Sequence, residues 1–223
     1  MSSRLLLFFL ILSVSYLHLL AESTLDVYGG YADTKKSDVT VTHYYFIGTP
    51  YTYSQPIDGS SGTLGIRYVH WLDPETDLWI NTQDETGVDY SWVGFSAGLS
   101  GFHASGENTD AYTVALSLDI LFRYPHKRWQ PYLGYGVLLH GSNVDISDPS
   151  GQEESASGSD FGLGFDFRTG LLWRIKSSFS LFAEYRYTSV NFKEDKDDLI
   201  FGGDVLSTHL RTNHYLLGVS FTQ

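Results

Sequence analysis

The 223-residue chain contains no cysteine, so neither disulfide bonds nor a lipid anchor on a cysteine is available to it. It also has little positive charge: 14 Lys and Arg residues stand against 26 Asp and Glu, for a formal net charge of −12. No basic stripe is present, which argues against nucleic acid as a partner. Beyond the N-terminus, no hydrophobic run is long enough to cross a membrane as a helix.

The one long hydrophobic run lies at the N-terminus. Arg4 precedes the apolar stretch Leu5–Leu12, and the run closes on Ala21-Glu22-Ser23, a small-x-small cleavage site. This pattern predicts a secretory signal peptide over residues 1–23, cut after Ser23, and a single domain over residues 24–223. The alternative is a membrane anchor, which needs about 20 uninterrupted apolar residues. Three polar residues interrupt this run: Ser13, Ser15 and His18.

Phe161–Phe192 alternates between apolar and polar residues with a period of two, broken only at Lys176–Ser178. Such alternation predicts a long β-hairpin. Its first strand places one large apolar set on one face: Phe161, Leu163, Phe165, Phe167, Leu171, Trp173 and Ile175. The other face is small and charged: Gly162, Gly164, Asp166, Arg168, Gly170 and Arg174.

The charged face is the informative one. The interior of a soluble β-sandwich, which is the alternative fold, does not hold pairs such as Asp166 with Arg168 or Glu184 with Arg186. A large apolar face opposite a charged, glycine-rich face is typical of a barrel with lipid outside and a polar interior. The sequence therefore predicts an eight-stranded antiparallel transmembrane β-barrel.

The predicted strands leave loops of uneven length. An even strand number places both termini on the periplasmic side, so the loops after the first, third, fifth and seventh strands face outward. Lys35–Ser60 is expected to be a long outer loop, although its tyrosines could extend the barrel wall. Asp73–Ser91 is long for a periplasmic turn, and the sequence allows either a true turn or extra barrel wall there. An aromatic girdle is expected at the periplasmic ends: Trp92, Trp129, Tyr132, Trp173, Phe179 and Phe221.

By the same alternation, nine charged residues point into the barrel. They are Asp26, Arg67, Asp119, Arg123, Asp166, Arg168, Arg174, Glu184 and Arg186. Four acids and five arginines suggest a salt-bridge network that fills the lumen. Because eight strands enclose a space just wide enough for side chains, a polar plug is the favoured interpretation, and a gated pore for small solutes is the alternative.

Three segments carry a resemblance to a known family: Trp129–Val137 (WQPYLGYGV), Ser180–Thr188 (SLFAEYRYT) and the closing Thr208–Phe221 (THLRTNHYLLGVSF). In these the chain resembles the small outer-membrane β-barrel proteins of the OmpA-type, eight-stranded class. The resemblance implies an integral protein of a bacterial outer membrane. It also implies a C-terminal signal for the barrel assembly machinery, carried here by Tyr215, Leu217, Val219 and Phe221. The family's terminal aromatic residue is displaced, because Thr222 and Gln223 follow Phe221.

One motif suggests an enzyme. His140-Gly141-Ser142-Asn143 resembles the catalytic motif of lipid A deacylases, with Glu154 downstream to orient the histidine. In that family the motif lies near the penultimate strand, where this chain has Ser189-Val190-Asn191 and no histidine. The alternation also turns His140 and Ser142 toward the lumen. A lipid A-modifying hydrolase is therefore kept as an alternative only.

The favoured function is a non-catalytic outer-membrane protein with a structural or surface-interaction role. The expected partners are outer-membrane lipids, lipopolysaccharide and, during biogenesis, the barrel assembly machinery. Acidic loop residues such as Asp145 and Asp148 are expected to be solvated, and no histidine or acidic spacing predicts a metal or a cofactor. A closed barrel has no free strand edge, so a monomer is expected.

Overall fold

Strand pairing runs without a break around the computed structural model, which describes residues 22–45, 51–72, 91–105, 108–124, 126–146, 156–196 and 202–223. Each strand pairs with the next in antiparallel fashion, and the first pairs with the last. The strands are β1 (Ser23–Tyr45), β2 (Tyr51–Trp71), β3 (Val93–Ser105), β4 (Thr109–Arg123), β5 (Trp129–Ile146), β6 (Ala156–Lys176), β7 (Phe179–Lys196) and β8 (Gly202–Thr222). The predicted closed eight-stranded barrel is confirmed.

Burial alternates along most of the described strand positions. In β4, buried and exposed residues follow one another without exception from Thr109 to Arg123. Outward positions hold large apolar side chains such as Leu118, which is 55% exposed, while inward positions hold polar ones such as Ser117, which is 1% exposed. In the described part of the chain, no helix is both long and apolar enough to span a membrane. The alternation in burial places the apolar surface of the protein on the outside of the barrel.

The end of the barrel that carries Glu22 and Gln223 is here called the terminal end, and the opposite end the loop end. Residues 1–21 of the predicted signal peptide lie outside the described residues. Residues 73–90, which form most of the long Asp73–Ser91 segment, lie outside them as well. The predicted aromatic girdle contains paired rings at the terminal end: Trp129 and Trp173 are stacked at 5.1 Å between ring centroids, and Phe179 and Phe221 contact each other with tilted rings at 5.7 Å.

Tyr132 does not belong to this girdle, so that part of the prediction is wrong. Its side chain faces the lumen and is 7% exposed. The reason is strand parity: Pro131 and Leu133 are both exposed on the outer face, so the residue between them must point inward.

Strands β1 and β2 extend further toward the loop end than the sequence predicts. Much of Lys35–Ser60, expected to be a loop, is strand, because β1 continues to Tyr45 and β2 begins at Tyr51. Alternating β-branched residues suit a strand, and their hydroxyls pair across it: Thr40 lies 3.0 Å from Ser54, and Thr42 lies 3.1 Å from Thr52. The barrel wall therefore rises well beyond the length that a bilayer requires.

Glycines on the inner wall make room for large lumen side chains. A Cβ atom on Gly218 would lie 2.4 Å from the ring of Phe182 and 2.7 Å from the carbonyl oxygen of Val27. The Phe182 ring, which is buried against Tyr28, thus occupies space that any other residue at position 218 would need.

Replacing this glycine should weaken the barrel. We expect Gly218→Val to destabilise the fold by about 1–3 kcal/mol, the usual cost of overpacking. Gly62→Val is the matched control, because a Cβ atom there meets nothing within 4 Å. The measurement is the urea midpoint of the detergent-folded protein, followed by the shift between fast and slow gel migration. Equal midpoints for both variants would contradict the packing argument.

Candidate functional site

The centre of the lumen holds seven of the nine predicted charged residues. They come from five strands and are at most 4% exposed: Asp26, Arg67, Asp119, Asp166, Arg168, Glu184 and Arg186. We call this set the ionic layer. Burial of so many charges requires that each one be paired and hydrogen-bonded.

One half of the ionic layer is built around Arg67. Its Nε donates to Asp26 Oδ2 at 2.9 Å, and its Nη1 donates to Glu184 Oε2 at 2.6 Å. The Tyr132 hydroxyl donates to the same Glu184 oxygen at 2.7 Å. The guanidinium also lies 5.4 Å from the ring centroid of Phe182, within the range of cation–π attraction. Arg67 thus links β1, β2 and β7 through the middle of the barrel.

The other half is built around Asp166. Its Oδ2 accepts from Arg168 Nη2 at 2.6 Å and from Arg186 Nε at 2.8 Å. Arg168 Nη2 also donates to Asp119 Oδ1 at 3.0 Å, and Asp119 accepts from the hydroxyl of Ser96 at 2.7 Å. The two halves meet where Arg168 Nη1 lies 3.9 Å from Glu184. The layer is a continuous network of charge-assisted contacts.

The remaining two predicted residues, Arg123 and Arg174, lie at the terminal end and share a different acid. Arg123 Nη2 donates to Glu22 at 2.7 Å, and Arg174 forms an ion pair with the other oxygen of the same carboxylate. Arg123 Nε donates to the Ser91 carbonyl at 2.6 Å, and its guanidinium lies 3.9 Å from the ring centroid of Trp71. Sequence reasoning missed Glu22 because it was assigned to the signal peptide.

The electrostatics of Glu22 follow from these contacts. Burial by itself would raise the pKa of the Glu22 carboxyl, but the nearby guanidinium groups of Arg123 and Arg174 outweigh it and leave the pKa below its usual value. Glu22 is therefore an anion that closes the terminal end of the lumen.

Toward the loop end, the lumen is closed by apolar side chains. Eight buried residues form this cluster, here called the apolar layer: Val41, Ala104, Ala111, Ala115, Leu138, Val144, Val190 and Leu210. On the strands that both layers share, the apolar residues always lie nearer the loop end. Val41 follows Asp26 in β1, and Val190 follows Arg186 in β7, while Ala115 precedes Asp119 in β4. Sequence reasoning missed this layer because inward Ala and Val look like ordinary wall residues.

His140 and Ser142 contact each other inside the wall. His140 Nδ1 lies 3.1 Å from the Ser142 hydroxyl, and Nε2 lies 3.1 Å from the Asn191 carbonyl oxygen. Ser142 Oγ also lies 2.9 Å from Thr113 Oγ1. His140 is 0% exposed and Ser142 is 4% exposed, so both side chains are buried in this arrangement. The predicted orienting residue, Glu154, lies outside the described residues.

The residues of the predicted assembly signal lie on the outer face of β8. Tyr215, Leu217 and Phe221 are 53%, 70% and 46% exposed, and Val219 is partly exposed beside them. Of the acidic loop residues named above, Asp145 is exposed on β5, and Asp148 lies outside the described residues. Within the described residues, no group of three or more His, Cys, Asp or Glu side chains could hold a metal.

Comparison with known proteins identifies the class. The family model for the outer membrane protein beta-barrel domain matches residues 5–222, so the chain belongs to that family and is an outer-membrane β-barrel protein. The comparison with curated proteins found no match.

Three solved structures of outer-membrane proteins are similar to this chain, and the first of them shows a similar fold. Neisserial surface protein A is 14% identical, with 88% of this chain and 96% of that chain covered and a TM-score of 0.51. The N-terminal β-barrel domain of OprF from Pseudomonas aeruginosa is 12% identical, covers 92% and 98%, and has a TM-score of 0.43. The outer membrane protease OmpT from Escherichia coli is 10% identical, covers 91% and 97%, and has a TM-score of 0.46. At such identities the similarity concerns the fold alone.

Breaking the ionic layer should be costly. Arg168→Met leaves the carboxylates of Asp166 and Asp119 close together without the cation they share, and we expect a loss of about 3–5 kcal/mol in unfolding free energy. The urea midpoint of the detergent-folded protein measures this. Lys127→Met, at an exposed turn position, is the control and should change the midpoint little. An Arg168→Met midpoint equal to that of the control would show that the network does not stabilise the fold.

Proposed function

We propose that the protein is a non-catalytic, non-conducting scaffold of the bacterial outer membrane. Its terminal end faces the periplasm, and its loop end presents the connecting loops outside the cell. The observation that carries this proposal is the double closure of the lumen, by the ionic layer in the middle and by the apolar layer beyond it.

The two layers act against conduction in different ways. The ionic layer fills the space between the strands with paired side chains, so a passing solute would have to break several charge-assisted contacts. The apolar layer offers no hydrogen-bond partner to water or ions, and its members Val41, Ala104, Ala111 and Val144 are 0% exposed. A solute would have to displace both layers at once, which argues against the narrow-pore alternative.

The hydrolase alternative is disfavoured by the same closure. Ser142 and His140 lie within hydrogen-bond distance, as a nucleophile and its base do. Both ring nitrogens of His140 already have partners in the wall, however, and the pair is enclosed on the lumen side. A lipid acyl ester would need a path through the strands to reach it.

A barrel closed in this way can act through its surfaces. We therefore propose that the loops and the outer wall make the functional contacts, with lipopolysaccharide as a neighbour of the wall. The outward residues of β8 that end on Phe221 would first serve the assembly machinery, and would then face lipid.

Conductance measurements test the proposal. We expect planar lipid bilayers to stay silent at high protein load, with insertion checked by the fast-migrating folded band. Arg168→Met should also be silent, because the apolar layer is intact in that variant. Discrete conductance steps from the unmodified protein would contradict the proposal and favour the pore.

A further inference from the structure

The apolar belt on the outside of the barrel is uneven in height. Because a tilted strand gains about 2.5 Å of height per residue, the outward apolar residues of β4, from Phe122 to Tyr112, rise about 25 Å, and those of β6, from Ile175 to Phe161, rise further. On β8 the outward apolar run that starts at Phe221 ends at Tyr215, after only about 15 Å. The next outward residue on β8 is Asn213.

A group of polar residues takes the place of the belt on this side. Asp33 on β1 pairs with Asn213 on β8, Arg211 pairs with Ser189 on β7, and His209 pairs with Asn191. Lys193 lies two positions beyond Asn191. We call this set the polar face: Asp33, Ser189, Asn191, Lys193, His209, Arg211 and Asn213. The polar face begins at Asn213, which lies eight positions from Phe221. At the corresponding position of β4, eight residues from Phe122, the outward residue is still the apolar Val114.

The polar face is ordered by its own contacts and has an aromatic floor. His209 lies 3.1 Å from the Ser189 hydroxyl and is also hydrogen-bonded to Asn191. Below it, Tyr215 contacts Tyr185 and Tyr31, at 5.6 Å and 6.4 Å between ring centroids. The Tyr185 hydroxyl donates to Asn213 at 2.7 Å. Tyrosines with an apolar body in lipid and a hydroxyl at a polar partner mark the interface level of a membrane.

The charges of the polar face point to an anionic partner. Of the Lys and Arg side chains that the structure describes, five belong to the lumen, and Lys127, Arg128 and Lys176 lie at the turns of the terminal end. The other two, Lys193 and Arg211, are both on the polar face and exposed. The formal charge of the chain is −12, and among the described side chains these two are the cations exposed on the outer wall above the terminal end. Asp33, Asn191 and Asn213 add the acceptors that sugar hydroxyls need.

We propose that the polar face binds the phosphorylated sugar headgroup of a glycolipid in the outer leaflet. Arg211 and Lys193 contact phosphate, the amide and carboxylate side chains contact sugar hydroxyls, and the acyl chains lie against the tyrosine floor. This deepens the proposed contact with lipopolysaccharide and rests on the proposed orientation of the barrel.

Lipid binding tests this site directly. Native mass spectrometry of the detergent-folded protein, titrated with bisphosphorylated lipid A, should show at least tenfold weaker binding for the double variant Arg211→Gln/Lys193→Gln. The control, Lys127→Gln/Arg128→Gln, removes the same charge at the terminal end and should bind as the unmodified protein does. Dephosphorylated lipid A should bind all three proteins equally weakly. Equal affinity of all three for the bisphosphorylated lipid would overturn the site, while leaving the silent-bilayer test of the scaffold role unaffected.

The depth of the site can be measured separately because the chain has no cysteine. Asn213→Cys and Val114→Cys each place one thiol eight residues from the aromatic residue at the terminal end of its strand, Phe221 or Phe122. In lipid vesicles a charged maleimide should label Asn213→Cys and leave Val114→Cys protected. Equal protection of both would mean that the polar face lies in hydrocarbon, and would overturn the proposal.

A second inference concerns the start of the mature chain. Both residues that precede the predicted cut after Ser23 are built into the barrel seam. The Glu22 carbonyl accepts from the Trp71 amide at 2.9 Å, and the Ser23 carbonyl accepts from the Gln223 amide at 2.9 Å. The Glu22 carboxylate is the ion-pair partner of Arg123, whose side chain is 2% exposed. Removal of Glu22 would take this carboxylate away from a buried guanidinium.

The geometry points to cleavage of the leader between Ala21 and Glu22, two residues before the site predicted from the small-x-small pattern. Water adds across this amide, giving the Ala21 carboxylate and the Glu22 amine. Ala21 supplies the small residue that precedes such a cut.

N-terminal sequencing and intact mass of the protein extracted from membranes test this. A mature chain that starts Glu-Ser-Thr-Leu is expected, whereas a start at Thr24 or an uncleaved chain would overturn the inference.

Glu22→Gln provides a second measurement. It should lower the urea midpoint at pH 7, where Glu22 is ionised. The difference should shrink as the pH falls below the ordinary pKa of a glutamate carboxyl, and it should vanish only below the lowered pKa of Glu22, where the carboxyl of the folded protein becomes protonated. A midpoint unchanged at pH 7 would show that Glu22 is not part of the closed barrel.

Discussion

The structure depends on the shared carboxylate of Asp166, which accepts from Arg168 and Arg186 in the middle of the lumen. Two arginines without exposure to water are tolerable only where an acid lies between them. This requirement constrains the whole wall. A shift of one residue in strand register would turn the charges of that strand toward lipid and its apolar set toward the lumen. The pairing of charges and the burial of apolar side chains in lipid therefore specify the same register.

The two lumen layers contribute by different physics. The ionic layer is directional, because each guanidinium must find its carboxylate at a set distance and angle. The apolar layer is not directional, but it keeps water away from the charges below it, and a lower local dielectric strengthens their attraction. At the terminal end, Glu22 and Trp71 contact Arg123 and cover the ionic layer from that side. The ionic layer is thus enclosed between two covers of different chemistry.

Much of this arrangement follows from the sequence, and the exceptions have physical causes. Sidedness was predictable because lipid and lumen make opposite demands on alternate residues, so the period of two in Phe161–Ile175, with charges on its small face, favours a membrane barrel over a soluble sandwich. The apolar layer was not predictable, because the alternation shows that Ala115 points inward but does not show that residues from several strands, such as Leu138 and Val190, meet there. Glu22 was missed because it lies within the segment that the sequence analysis assigned to the signal peptide. Tyr132 was misplaced because aromatic character suggested the girdle, whereas its phase between Pro131 and Leu133 decided for the lumen.

A closed lumen also narrows the search for function. If the lumen is closed to solutes and substrates, as proposed, the chemistry that distinguishes this barrel lies on its outer surfaces. The outer wall is not uniform: β4 and β6 continue the apolar belt further toward the loop end, while β7, β8 and β1 present charge and amides at that height. Strand parity turns Arg211 outward, because its neighbours Leu210 and Thr212 are both buried, and a cation held in hydrocarbon would be costly. An outward Arg211 and Lys193 therefore fit a level of the membrane that contains phosphate groups, which is the premise of the proposed glycolipid site, and the same asymmetry would orient the barrel relative to its lipid neighbours.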